Sequence, residues 1–243
     1  MNKSPEARHG VRRSIITFLN GYGIQQTSGV MRYATQNDDL VLTCRFIPTH
    51  SESVSPVPDV IQGLCHFIRQ NRHVEFLFRL QGNVQHFKQI IRKIEKGDPL
   101  DYTQIQPADA AAIIKQYLRQ LSRPLIPKVY HTVFLKANVT EDREIALLAA
   151  TVLLPASHIQ VLKYMMQFFN SVAKYSEVNK MDPTALSVCI TPSILPVVDT
   201  DKIIDAVNSV KTLIEHCDRI GIIPEKIPLY DEEGRKECCC IVL

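Results

Sequence analysis

The chain has 243 residues, 45% of them hydrophobic and 22% charged, which is enough to build a buried core and excludes a disordered or fibrous chain. Lys and Arg number 28 against 25 Asp and Glu, a formal net charge of +3, without the basic stripe that nucleic-acid binding requires. With no Trp, 9 Gly and 14 Pro, it is also short of the turns an all-β fold needs.

In chain order, residues 1–54 read as an N-terminal extension and linker. The first 37 residues carry one acid, Glu6, beside several Arg, and are expected to form a solvated basic segment. LVLTCRF (Leu40 to Phe46) has strand-like content but weak alternation. SESVSPVP (Ser51 to Pro58) has the composition of a linker. From Pro58 to about Gly221 the apolar spacing is helical. VIQGLCHFIRQ places Val60, Leu64, Phe67 and Ile68 on one stripe. NVQHFKQIIRKIEKG does the same with Val84, Phe87, Ile90, Ile91 and Ile94, and Gly97 is its stop signal. DAAAIIKQYLRQL groups Ile114, Tyr117, Leu118 and Leu121. TEDREIALLAATVL opens with acids, which suit a helix N-terminus. IQVLKYMMQFFNSV is apolar nearly all round and reads as a central, buried helix. PTALSVCITPSI and TDKIIDAVNSVKTLIEHC complete the set. Pro124, Pro127, Pro155, Pro183 and Pro192 are expected at the joints between helices. The fold class is all-α, one bundle over residues 55–222, followed by a flexible tail at 223–243.

The longest charge-free stretch, Ile145 to Leu162, loses its apolar character after Leu154 and is too short to span a bilayer. No apolar segment follows Arg12 and Arg13, as a secretory signal would require. Of the seven cysteines, Cys44, Cys65, Cys189 and Cys217 stand singly and read as buried free thiols. There is no CxxC and no His pair at ligand spacing, so neither a metal nor a cofactor is expected.

Two polar features stand out. In EFLFRLQG (Glu75 to Gly82), Arg79 sits among Phe76, Leu77, Phe78 and Leu80; it either snorkels to an ion pair or is presented to an anion. In DAAAIIKQYLRQL, Lys115 and Arg119 lie at i, i+4, with Arg123 just beyond. They make a basic ridge opposite the apolar face, either solvated or a docking surface for an acidic partner.

The order of the segments is more informative than either feature alone. EFLFRLQG, then IIKQYLRQLSRPLIP, then LLPASHIQVL, then VNKMDPTALSVCITPSIL together resemble the GTPase-activating domain that acts on Rho-family GTPases, the RhoGAP domain, from about Val57 to Gly221. The resemblance implies a RhoGAP-like bundle of about eight or nine helices that binds a GTP-loaded Rho-family small GTPase and stimulates its GTP hydrolysis. It implies that Arg79 is an arginine finger supplied in trans, with no independent enzyme activity and no cofactor. An inserted guanidinium stabilises charge developing on the phosphate oxygens, and such a finger is worth about 10³–10⁵ in rate. The planar, permanently charged fork of Arg suits the task. The resemblance further implies that Lys115 and Arg119 brace the loop and contact the GTPase, and that Asn179 does so from the NKM segment, where a helix-end cap is the plain alternative. The chain departs from the family pattern at Phe76 (a Gly in the family), Gln81 (Ser or Pro), His158 (Asn), Ala185 (Asn) and Thr191 (Gly). These departures frame a second reading, a GTPase-binding adaptor of the same fold with little or no catalysis. An interaction module at a membrane is a third.

The sequence ends Cys240-Ile241-Val242-Leu243, the form of a C-a-a-X box for geranylgeranylation at Cys240. Cys238 and Cys239 are then candidate palmitoylation sites. The expected location is cytoplasmic and peripheral to a membrane, held by the lipid.

Overall fold

The computed structural model describes residues 5–25, 28–38, 40–48, 55–230 and 236–237. Two helices come first, α1 (Pro5–Gly21) and α2 (Ser28–Asn37). The bundle follows: α3 (Asp59–Gln70), α4 (Val84–Lys96), α5 (Pro107–Arg119), α6 (Lys128–Asn138), α7 (Arg143–Val152), α8 (Ala156–Ala173), α9 (Ser176–Asn179), α10 (Pro183–Ile194) and α11 (Ile203–Glu215). These nine agree with the eight or nine expected for the domain. Residues Leu229–Tyr230 (β1) and Lys236–Glu237 (β2) form a short antiparallel pair.

Local chemistry sets the helix ends. Pro58, Pro127 and Pro155 precede α3, α6 and α8, and Pro107 and Pro183 open α5 and α10, where a missing N–H costs nothing. The Asn83 side chain accepts from the N–H groups of Gln85 and His86, and Asp182 accepts from Ala185 at 2.7 Å. Gly97 ends α4 at φ 74°, a left-handed cap. Pro192 departs from expectation. It lies inside α10, so the Val188 carbonyl forgoes its usual helical partner.

α8 is buried on nearly every side, as its composition predicts; His158, Met165, Met166, Phe168, Phe169 and Val172 are at 0% exposure. Around it α3 packs on α5 and α8, α10 on α5, α8 and α11, and α11 on α6, α7 and α8. In α3 the fully buried positions are Ile61, Leu64, Cys65 and Ile68, while Val60 and Phe67 lie only partly buried at the core's edge. The buried stripe is therefore rotated toward Ile61 and Cys65.

Within the stretch expected to be a solvated basic segment, Pro5–Gly21 and Ser28–Asn37 are helical and share the core. Val11, Ile15, Leu19, Val30 and Ala34 are buried, with α1 against α7 and β1, and α2 against α6. The physical reason is burial of that apolar face, and an ion pair lets Arg12 go in with it. Arg12 donates to both Asp38 carboxylate oxygens at 2.7 and 2.6 Å, and to the Leu154 carbonyl at 3.2 Å, so its charge enters the interior with partners. LVLTCRF also gains order. Leu42, Cys44 and Phe46 point inward and Val41, Thr43 and Arg45 outward. Its backbone bonds the end of α5, Arg45 N–H to Gln120 O and Ser122 N–H to Thr43 O.

Among the described residues no helix is long and apolar enough to cross a membrane, and no group of His, Cys, Asp and Glu is arranged to hold a metal ion. Cys44 and Cys65 are buried free thiols, pushed by that burial up to about 11 and about 12. Cys217 is buried too, and Cys189 half-buried. Cys238, Cys239 and Cys240 lie outside the described residues.

Candidate functional site

Residues 71–83 join α3 to α4 and carry Arg79. Asn71 turns the chain out of α3, its side-chain amide donating to the Phe67 carbonyl at 2.9 Å. Two bulky residues then adopt left-handed backbone, Phe76 at φ 57° and Phe78 at φ 70°. For a side chain with a Cβ that conformation costs about 1–2 kcal/mol per residue. The family pattern places a glycine, the residue best suited to this conformation, where this chain has Phe76.

The strain is held by contacts on all sides. Leu77 and Phe78 are buried, and the Phe78 ring meets Phe169 and Phe168 edge-on at centroid distances of 5.2 and 6.0 Å. The Phe76 N–H donates to the Asn179 carbonyl at 2.8 Å. The N–H groups of Arg79 and Leu80 both turn back to the Phe76 carbonyl. The consequence is that Arg79 stands exposed at the tip. Its guanidinium lies 5.7 Å from the centre of the Phe76 ring, a cation–π contact.

Lys115 and Arg119 project from α5 toward this loop and toward α10. The Lys115 ammonium donates to the Phe78 carbonyl at 2.6 Å. Burial pushes its pKa below the ordinary value; Cys189 opposes that shift and Arg119 adds to it. Arg119 donates to Ser193 Oγ at 3.3 Å and to Gln116 at 2.8 Å. Burial lowers its pKa as well. One side of α5 thus braces the Arg79 loop with Lys115 and borders α10 with Arg119.

Asn179 takes a different place from its neighbours. It is at 0% exposure, beneath the loop. Its amide donates to the Arg72 carbonyl at 2.8 Å and the Val172 carbonyl at 3.0 Å, and its Oδ1 accepts from Met181 N–H at 2.8 Å. With its side-chain oxygen and amide engaged inside the chain, it ties the loop base to the α8–α10 junction and presents nothing to a partner surface. Arg79, Lys115 and Arg119 share one end of the bundle, with Asn179 buried below them.

Of the departures from the family pattern, Phe76 and Gln81 lie in the loop itself. Ala185 is half-buried in the first turn of α10, and Thr191 is buried with its hydroxyl on the Ser187 carbonyl. His158 is buried elsewhere, its Nδ1 2.9 Å from the Leu125 carbonyl. Val188 and Leu80 add exposed apolar surface, at 57% and 50%. A cavity of about 450 Å³ lies among the α6–α7 loop and the end of α11, and none of the predicted site residues lines it. Sequence reasoning did not single out Asp109, which is 1% exposed and bonds the far end of the loop.

At this end of the helical bundle an exposed arginine stands on a braced loop beside Lys115 and Arg119, an arrangement with the chemistry to meet an anion. Residues 58–199, more than half of the chain, match the model of the RhoGAP domain. The chain belongs to the RhoGAP family. It is 31% identical over 187 residues to human Rho GTPase-activating protein 11A, covering 71% of this chain and 18% of that protein. It is 30% identical over 202 residues to zebrafish SLIT-ROBO Rho GTPase-activating protein 2, covering 78% and 18%. It is 34% identical over 180 residues to human Rho GTPase-activating protein 4, covering 69% and 19%. The chain therefore spans about a fifth of the length of these relatives. Among solved structures the fold is similar to the BH domain of GRAF, the GTPase regulator associated with focal adhesion kinase. That match has a TM-score of 0.63 at 20% identity and covers 68% of this chain and 95% of that one. Human Rho GTPase activating protein 15 gives a TM-score of 0.61 at 13% identity, over 78% and 89%.

Proposed function

We propose that this protein stimulates GTP hydrolysis by a Rho-family small GTPase by inserting Arg79 beside the reacting phosphate. The carrying observation is the exposed Arg79 on a loop whose backbone is held by Lys115 and Asn179. Charge that grows on the phosphate oxygens in the transition state meets a preorganised fork of donors, with little reorganisation at the moment of reaction. Arg119, bonded to Ser193 of α10, faces the GTPase, and Lys115 holds the loop for it. Asn179 acts from beneath. The protein supplies one group in trans and turns over no substrate of its own.

The deciding experiment mixes the purified chain with a panel of GTP-loaded Rho-type GTPases and follows phosphate release. Acceleration supports this reading. Binding without acceleration supports the adaptor reading, to which the Phe76 and Ala185 departures point.

We also propose that the protein is lipid-anchored and cytoplasmic, through geranylgeranylation of Cys240 and palmitoylation of Cys238 and Cys239. The support is the sequence pattern CCCIVL. One prenyl chain binds a membrane reversibly, and the acids Asp231, Glu232, Glu233 and Glu237 dilute any polybasic second signal, which leaves the adjacent thiols for that part. Cys240→Ser should move the protein from the membrane pellet to the soluble fraction. A mutant that stays in the pellet would show that the tail is not the anchor.

A further inference from the structure

We propose that Asp109 is a positioning residue for the finger, and that with Lys115 it ties the exposed loop tip to helix α5 at both ends. The proposal rests on the GTPase-activating reading above. Between Phe78 and Asn83 lie Arg79, Leu80, Gln81 and Gly82. The Phe78 carbonyl is held by Lys115 at 2.6 Å. The Asn83 N–H is held by Asp109 Oδ1 at 2.7 Å. Both ties come from α5, so the tip and that helix are coupled as one body.

Three observations set Asp109 apart from an ordinary acid near a helix start. Such an acid is favoured by the helix dipole while remaining in water. Asp109 instead turns inward and is 1% exposed. Its single good hydrogen bond reaches 26 residues back along the chain, not to its own helix. Among the described residues its Oδ2 has no hydrogen-bond partner, and His86 Nδ1 stands 3.6 Å away on a side chain 52% exposed. A carboxylate buried with one oxygen unanswered is a cost to stability. The gain is a fixed point three residues after Gln81's neighbour Leu80, at the place where the chain re-enters α4.

Gly82 completes the device. A Cβ at residue 82 would overlap Asp109 Oδ1 and sit 2.9 Å from the Asp109 Cα. Only glycine lets the chain run this close to the carboxylate. A finger displaced by a fraction of an ångström loses its alignment with the developing charge, whereas docking of the surrounding surface tolerates it. The anchor should therefore affect the rate of hydrolysis far more than affinity for the GTP-bound partner.

The test uses the full chain and a Rho-type GTPase that it accelerates. Phosphate release is read at saturating protein. Affinity is read separately for the GTPase bearing a non-hydrolysable GTP analogue and bearing GDP with aluminium fluoride, a mimic of the transition state. Asp109→Ala should lower the saturated rate by about tenfold or more while analogue affinity changes less than about threefold. Affinity for the aluminium fluoride complex should fall with the rate. Asp109→Asn keeps an acceptor for the Asn83 N–H and should recover the rate to within about threefold. Gly82→Ala should reproduce the Asp109→Ala pattern, and it carries the test with Asp109→Asn if Asp109→Ala fails to fold.

An unchanged rate in Asp109→Ala, or an equal loss in both affinities, overturns the proposal. So does a failure of Asp109→Asn to recover the rate. Arg79→Ala is the control that separates the two readings. If Arg79→Ala is inactive and Asp109→Ala is normal, the anchor alone is wrong. If Arg79→Ala keeps full activity, or no GTPase is accelerated, the finger reading falls and the anchor's role falls with it.

Discussion

The Arg79 loop and the N-terminal helices treat a cation in opposite ways. Arg12 is drawn inside, 5% exposed in its side chain, and answered by both oxygens of Asp38 and by a carbonyl. Arg79 is pushed out, its guanidinium over the Phe76 ring. The first arrangement fastens two helices to the bundle. The second accepts left-handed Phe76 and Phe78 to leave a guanidinium uncommitted. Stability and availability are thus assigned to different ends of the molecule, and substitutions at each end should move different measurements.

The largest effect is expected from removing residues 1–38. That deletion strips Val11, Ile15, Leu19 and Val30 from the core and should abolish the cooperative thermal transition seen by circular dichroism. A deletion with an unaltered transition would mean the two helices are accessory. Arg79→Ala comes next and belongs to the other end. It should remove about 10³-fold or more of the acceleration with no change in melting temperature. Arg79→Lys should lose most of it too, because an ammonium cannot reproduce the fork. Arg12→Ala leaves Asp38 without its partner and should cost about 3 kcal/mol in urea unfolding, with the saturated rate preserved in the folded fraction. Phe76→Gly sharpens the comparison. It relieves backbone strain of about 1 kcal/mol yet removes the ring under Arg79, so the loop should become easier to form and less able to hold the Arg79 side chain. A rise in activity in that variant would show that the ring is no support.

The smallest effect is on pH. Burial lowers the pKa of His158 and of His131; the Leu125 carbonyl contact opposes this for His158, and the Ile126 carbonyl contact opposes it for His131. The unfolded chain takes up those protons near the ordinary value while the folded chain resists. The unfolded state then binds more protons, and stability falls as pH drops below about 6.5. The urea midpoint should therefore decline between about pH 7 and pH 5.5, and His158→Gln should flatten part of that slope.

Much of this was legible in the sequence because it is local. Pro107 and Pro183, Asn83 and Gly97 mark helix ends through backbone chemistry that acts within a few residues. Burial of α8 follows from its composition, and the order of four segments identified the family. What the sequence concealed depends on distance. Arg12 looks like a solvated charge until Asp38, 26 residues on, is seen to meet it, although Val11, Ile15 and Leu19 already marked a buried face. The alternation in LVLTCRF was obscured by Val41, which is 72% exposed. Asn179 reads as a surface contact by motif position, yet its amide is spent on Arg72 and Val172. Asp109 reads as a dipole-matching acid, and nothing nearby in sequence announces the Asn83 N–H it receives.

The tethering of residues 72–83 has a kinetic corollary. Ordering a loop on contact is a common reason why association is slow and entropically unfavourable. Here the backbone is settled before any encounter, through Asn179 at one side and α5 at the other. The freedom left to freeze is chiefly that of the Arg79 side chain, about 2 kcal/mol at most. Encounter with a partner should then resemble rigid docking followed by the settling of one long side chain, with the rate of capture governed by charge and collision geometry instead of by loop rearrangement.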